Sequence, residues 1–288
     1  MSDPAFSNDD GAAGAVALDE VRRRVASSID SRALELPLLP GVAAEVIAGS
    51  LDDHADTARL AQLIQTDQGL ASHVLRVVNS PALRAAMEIV ALRQAISRLG
   101  MNRIREIAIA ASLSSALIEP VYRTESQRAW KHALCAGLWA KEIARACRKN
   151  TEMAYLCGLL HNIGTPVILR SLVGLTRSQL PQRDVMTLLA EFGATAGELL
   201  AREWRLPEAV VATIKWLDRF SDSGAHADAV AVASCAVRFA QLTLADELTC
   251  ESVGALDSIG HLNLYPDDVA ALLGLRDSVS AATESMAP

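Results

Sequence analysis

Apolar residues recur at three- and four-residue intervals through most of this chain, the spacing that gathers them on one face of an α-helix. The pattern runs through residues 42–47, 60–64, 70–78 and 104–117, with breaks at Asp52-Asp53, Asn79-Ser80-Pro81 and Gly100. No segment alternates apolar and polar residues as a half-buried strand does. The chain's 50 alanines and its 4% aromatic content point the same way, since alanine loses no side-chain entropy in a helix and lets helices pack closely. The expectation is an all-α protein, a compact multi-helix bundle forming a single continuous helical body.

Residues 1–17 are small, polar and acidic, and are predicted to form a disordered leader, with folding starting near Leu18. Over 36–41, two prolines and a glycine impose an extended turn. Thr124, with Gln127 three residues on, resembles a capping box that opens a helix running to about Arg148. His132, Ala136, Trp139 and Ile143 share one face of that helix, so His132 points inward. A helix over 151–163 is expected to stop at Gly164, and Thr165-Pro166 reads as the cap and first residue of the next. Further helices are predicted over 185–192, 194–204, 207–217, 227–244 and 266–273, with a frayed tail after about 276.

The net charge of −7 argues against nucleic acid as a partner, because any basic patch must work against the field of the whole protein. Five cysteines in apolar stretches, with no C-x-x-C pair, suggest neither a disulfide frame nor a thiolate metal site, and fit a reducing cytoplasm. The longest apolar stretch seen in the sequence, 107–118, is too short to cross a bilayer, so no membrane segment is expected.

Phosphate loops, dinucleotide fingerprints, H-E-x-x-H and G-x-S-x-G are all absent, which leaves histidine as the residue of interest. By itself His161, in Gly158-Leu159-Leu160-His161-Asn162-Ile163-Gly164, reads as a buried histidine satisfied by one hydrogen bond. An ordered series of short motifs surrounds it. Leu36-Pro37-x-Leu39-Pro40 is followed by Ile64-x-x-Asp67-x-x-Leu70, Leu75-Arg76-x-x-Asn79-Ser80 and Ala95-Ile96-x-x-Leu99-Gly100. Trp130-x-His132, the His161 motif and Trp204-x-Leu206-Pro207 complete the series. Together these resemble a bacterial HDOD domain, the HD-related output domain. The resemblance implies a domain over 18–225, with an N-terminal helical part over 18–120 and a degenerate HD-like part over 121–225. Helices over 226–288 would complete the bundle.

The superfamily's active members hold metal ions with a histidine, a His-Asp pair and a later aspartate. Carried onto this chain, the first histidine falls on His132, the pair on His161 and Asn162, and the late aspartate on Gln241. Both carboxylate positions therefore hold amides, which bring no charge to a metal site. Thr165 also stands where cyclic-dinucleotide phosphodiesterases of the superfamily carry lysine. Pro37, Leu39, Pro40, Asp67, Asn79, Ser80, Leu99, Gly100, Trp130, Gly164, Trp204 and Pro207 read as structural signature residues, with Asp67 as a helix N-cap.

The resemblance implies a non-catalytic signalling module with a vestigial pocket, no metal and no cofactor. It would act on protein partners in two-component or cyclic di-GMP pathways, as a homodimer on the general prior for signalling proteins. The alternative is a metal-dependent phosphohydrolase or phosphodiesterase acting on a nucleotide or cyclic dinucleotide.

Overall fold

The computed structural model describes residues 9–49, 57–83, 88–176 and 179–287. Its N-terminal half comprises α1 (Asp9–Asp30), α2 (Gly41–Gly49), α3 (Thr57–Thr66), α4 (Gln68–Val78), α5 (Leu92–Leu99) and α6 (Met101–Leu117). The second half comprises α7 (Arg123–Ala146), α8 (Thr151–Leu160), α9 (Gly164–Leu175), α10 (Gln182–Glu203), α11 (Glu208–Trp216) and α12 (Ala227–Leu244), with a 3-10 turn at Phe220–His226. Four short helices follow: α13 (Cys250–Gly254), α14 (Asp257–His261), α15 (Pro266–Leu273) and α16 (Arg276–Met286). No strand occurs among the described residues, so the fold is all-α.

The long α7 is the axis of the second half, packed against α8 and α12, and its Leu134, Trp139 and Ile143 are fully buried. Trp139 meets Phe239 of α12 edge to face at 5.1 Å, and its Nε1 donates to Thr243 Oγ1 at 2.9 Å. Two glycines set how closely the neighbouring helices approach. A Cβ at Gly158 would lie 2.6 Å from the Ala136 carbonyl oxygen on α7, and one at Gly164 would lie 1.8 Å from the Gly193 carbonyl oxygen on α10. Backbone thus packs against backbone at both crossings, which no larger residue permits.

Most signature residues are joints of this frame. Trp204 Nε1 donates to the Pro37 carbonyl at 2.8 Å, tying the extended segment ahead of α2 to the end of α10. Leu39 packs against the core, and the Pro40 carbonyl accepts the Ala44 N–H at 2.9 Å as α2 begins. Asp67 caps α4, accepting the Leu70 N–H at 2.9 Å. Asn79 closes the same helix and exchanges two 2.8 Å hydrogen bonds with the backbone of Ile89, latching the approach to α5. Ser80 continues the turn, its N–H on the Val77 carbonyl. Gly100 follows Leu99 with φ of 79°, a left-handed backbone that lets α5 turn directly into α6. The Pro207 carbonyl receives Val210 and Val211 as α11 starts.

Four local expectations need correction. Residues 9–17 form the first turns of α1 where a leader was expected; residues 1–8 lie outside the described residues. α7 begins at Arg123 with Tyr122 as its cap, and no Thr124–Gln127 capping box forms. Gly164 is the first residue of α9, not a stop, so Pro166 stands within the first turn, where no intrahelical N–H is needed. The tail is α16, whose Val279, Ala282 and Met286 are buried and whose Glu284 pairs with Lys131 of α7 at 2.5 Å.

Two stretches, Thr151–Leu175 and Phe220–Leu244, are apolar and long enough to cross a membrane by composition, which the sequence reading missed. Each is broken, the first at 161–163 and the second at Gly224. They have 67% and 56% of their apolar windows buried inside the bundle, which accounts for their hydropathy as core packing.

Candidate functional site

His132 projects from α7 and His161 from the end of α8, and their rings meet edge to face at 5.3 Å. The crossing of these helices at Gly158 makes that meeting possible. His161 Nδ1 lies 2.7 Å from the Gly158 carbonyl, so Nδ1 carries the proton and donates, leaving Nε2 as an acceptor. Burial, then the neighbouring His132, pushes the His161 pKa down to about 3 against the raising effect of the Gly158 hydrogen bond. His132 is also lowered by burial, opposed by a hydrogen bond to the backbone of Val237 on α12. Both rings are therefore neutral near pH 7, the state in which imidazole binds metal.

The two amides do not join them. Asn162 turns back to α7, where its Nδ2 donates to the Ala129 carbonyl at 3.1 Å. It lines a separate shallow cavity with Ser126, Trp130, Leu159 and Thr165, and neither histidine reaches that cavity. Trp130 is buried there with its indole N–H unpartnered among the described residues. Gln241 is exposed on α12, and its Oε1 accepts from Arg238 at 2.7 Å. It lines an open surface cleft with Asp218 and Asp257. The part of α12 that comes to His132 is the backbone of Val237, one turn before Gln241. The structure thus brings together His132 and His161 alone of the four residues carried over.

This donor set does not fit a dication centre. No group of three or more His, Cys, Asp or Glu side chains is placed to hold a metal ion among the described residues. Two imidazoles without carboxylates offer neither the charge nor the bridging oxygens that hard divalent ions need.

A polar cluster that the motifs did not reveal lies at the junction of the two halves. Glu106 of α6 is buried between Arg103, at 2.6 Å, and Lys141 of α7, at 2.5 Å. Tyr155 of α8 donates to the Glu106 carbonyl at 3.0 Å. The sequence signal was Glu106 standing between Arg105 and the apolar run 107–111 of α6.

The HDOD domain profile matches residues 36–220. A Treponema pallidum (strain Nichols) protein described as uncharacterized is 27% identical over 204 residues, which is 67% of this chain but 39% of that relative. Among solved structures, an HDOD domain protein of unknown function from Geobacter sulfurreducens superposes with a TM-score of 0.68 at 21% identity, covering 93% of this chain and 96% of that one. A candidate metal-dependent phosphohydrolase from Shewanella amazonensis SB2B gives 0.71 at 19% identity, covering 93% and 99%. A candidate signal transduction protein from Marinobacter aquaeolei VT8 gives 0.67 at 22%, covering 94% of this chain and 66% of its own. At these identities the solved structures speak for the fold alone. The profile spans well over half of the chain and holds both histidines, the latch at Asn79 and the Trp204–Pro37 joint, and on that ground this chain belongs to the HDOD domain family.

Proposed function

We propose that this chain is a non-catalytic signal-transduction module that acts by binding other proteins, with its HD centre retained as packing between α7 and α8. The observation that carries the reading is the divergence of the amides: Asn162 is committed to the Ala129 carbonyl and Gln241 to Arg238, so no negative charge reaches the imidazole pair. Hydrolysis by a metal-bound hydroxide needs that charge to hold the ion. Partners in two-component or cyclic di-GMP signalling suit the reading, as does the Marinobacter relative described as a candidate signal transduction protein. A reducing cytoplasm suits the cysteines, since burial raises the thiols of Cys135 and Cys157 to about 11 and that of Cys235 to about 12, holding them protonated.

The competing reading is a metal-dependent phosphohydrolase acting on a nucleotide or cyclic dinucleotide. In its favour are the two neutral imidazoles with Nε2 of His161 left as a free acceptor. Elemental analysis of the purified chain, with assays on bis-p-nitrophenyl phosphate and cyclic di-GMP in added Mn²⁺, separates the two. The expected result is no stoichiometric metal and no turnover. Hydrolysis that disappears in His161→Ala would overturn the proposal.

A further inference from the structure

Charge is distributed unevenly along the chain. Residues 68–105 hold six arginines and one acidic residue, Glu88, a net +5 in a protein of −7. Residues 218–288 hold eleven acidic residues and three arginines, a net −8. The fold displays both ends of this asymmetry. Arg76, Arg93 and Arg98 are exposed and have no ion pair among the described residues. The Asn79–Ile89 latch holds the end of α4 beside the approach to α5, and Arg98 donates to the Leu83 carbonyl at 2.7 Å. Val90, 70% exposed, sits one turn ahead of Arg93 on this face. On the C-terminal side Glu247, Glu251, Asp267 and Asp277 are exposed without ion pairs among the described residues. The Asp246–Arg276 pair fixes the end of α12 against the start of α16, and the exposed Leu244 and Leu275 flank it.

We infer that the chain self-associates, the basic α4–α5 face of one copy docking on the acidic C-terminal face of another. Each region offers what the other lacks: exposed arginines without ion pairs and an exposed Val90 on one side, exposed carboxylates without ion pairs and exposed leucines on the other. Arginine at the rim of an apolar contact is a common interface composition. Nucleic acid fits less well, because a duplex longer than the patch runs onto an acidic body within a screening length of about 8–10 Å at physiological salt. The inference does not depend on whether the imidazole pair is silent.

Sedimentation velocity on the full chain tests it. Association is expected at low salt and should weaken about tenfold or more when salt is raised several-fold, as screening shortens. Two variants separate the faces: Arg93→Glu with Arg98→Glu, and Glu247→Arg with Asp277→Arg. Each alone is expected to be monomeric with a wild-type circular dichroism spectrum. An equimolar mixture should pair, because it retains one native basic face and one native acidic face. The inference is overturned if the wild type stays monomeric at roughly 100 µM, if its association ignores salt, or if folded variants fail to pair on mixing. It is equally overturned if the wild type binds a DNA duplex through Arg93 and Arg98 more tightly than it binds itself.

Discussion

Replacing Gly164 with alanine adds one methyl group at the tightest point of the frame. Its Cβ would stand 1.8 Å from the Gly193 carbonyl oxygen and 2.6 Å from the Gly197 nitrogen, where ordinary contact begins at 3.4 Å. Both obstructing atoms are backbone, so no side chain can swing aside, and α9 must move away from α10 by more than 1 Å. Overpacking of a core usually costs about 1–3 kcal/mol, and a backbone clash belongs at or above the upper end. Alanine's helix propensity returns at most about 1 kcal/mol, less in a first turn. The net expectation is a loss of about 2–4 kcal/mol, which at about 2 cal/mol/K of unfolding entropy per residue lowers Tm by about 3–7 °C. Gly193→Ala is the matched control. It lies across the same contact, but its own Cβ would meet nothing within 4 Å, so mid-helix alanine should add about 0.5–1 kcal/mol. Urea unfolding followed by circular dichroism measures both. If Gly164→Ala is as stable as the wild type, or the two variants are indistinguishable, the backbone-contact account of the Gly-Leu-Leu-His-x-Ile-Gly motif is wrong.

His161 gives the protein a built-in acid sensitivity. An unfolded imidazole takes up a proton below its ordinary 6.5, whereas the folded ring resists until about 3. Its contribution to stability is therefore complete above pH 6.5 and is lost as pH falls through that window. At about pH 4.5 the loss is about 3 kcal/mol, at ~1.4 kcal/mol per pKa unit; urea midpoints between pH 7 and 4.5 should show it, and His161→Gln should flatten the slope. An unchanged acid slope in that variant would refute the assignment. Glu106→Gln leaves Arg103 and Lys141 facing a neutral amide at the junction of the halves and should cost about 2–4 kcal/mol in equilibrium unfolding. A loss below about 0.5 kcal/mol would reduce the cluster to an ordinary surface pair. Gln241→Asp should leave Mn²⁺ binding unchanged by calorimetry, since that side chain faces solvent and Arg238; a tenfold gain would return it to the imidazole pair.

How far the sequence reaches is clearest at individual residues. Helical periodicity made the all-α class legible, because a helix declares its buried face within its own sequence. Asp67 as a cap and Asn79 as a helix end were legible for a related reason: their hydrogen bonds to Leu70 and Leu75 are local. The inward aim of His132 followed from its place on the face shared with Trp139. Register between helices was not legible. The chain order that suggested a late aspartate at Gln241 says nothing about how far α12 slides along α7, and the packing of Trp139 on Phe239 and Thr243 leaves Gln241 in solvent. The adjacent letters His161 and Asn162 likewise imply a shared site, yet the turn after α8 sends one ring inward and the other side chain to Ala129. Nor could sequence show that Glu106 gathers Arg103 and Lys141, since Lys141 stands 35 residues away. Local chemistry is written along the chain, but a site assembled from several helices depends on the offsets between them, and those are decided by side chains and glycines meeting across the bundle.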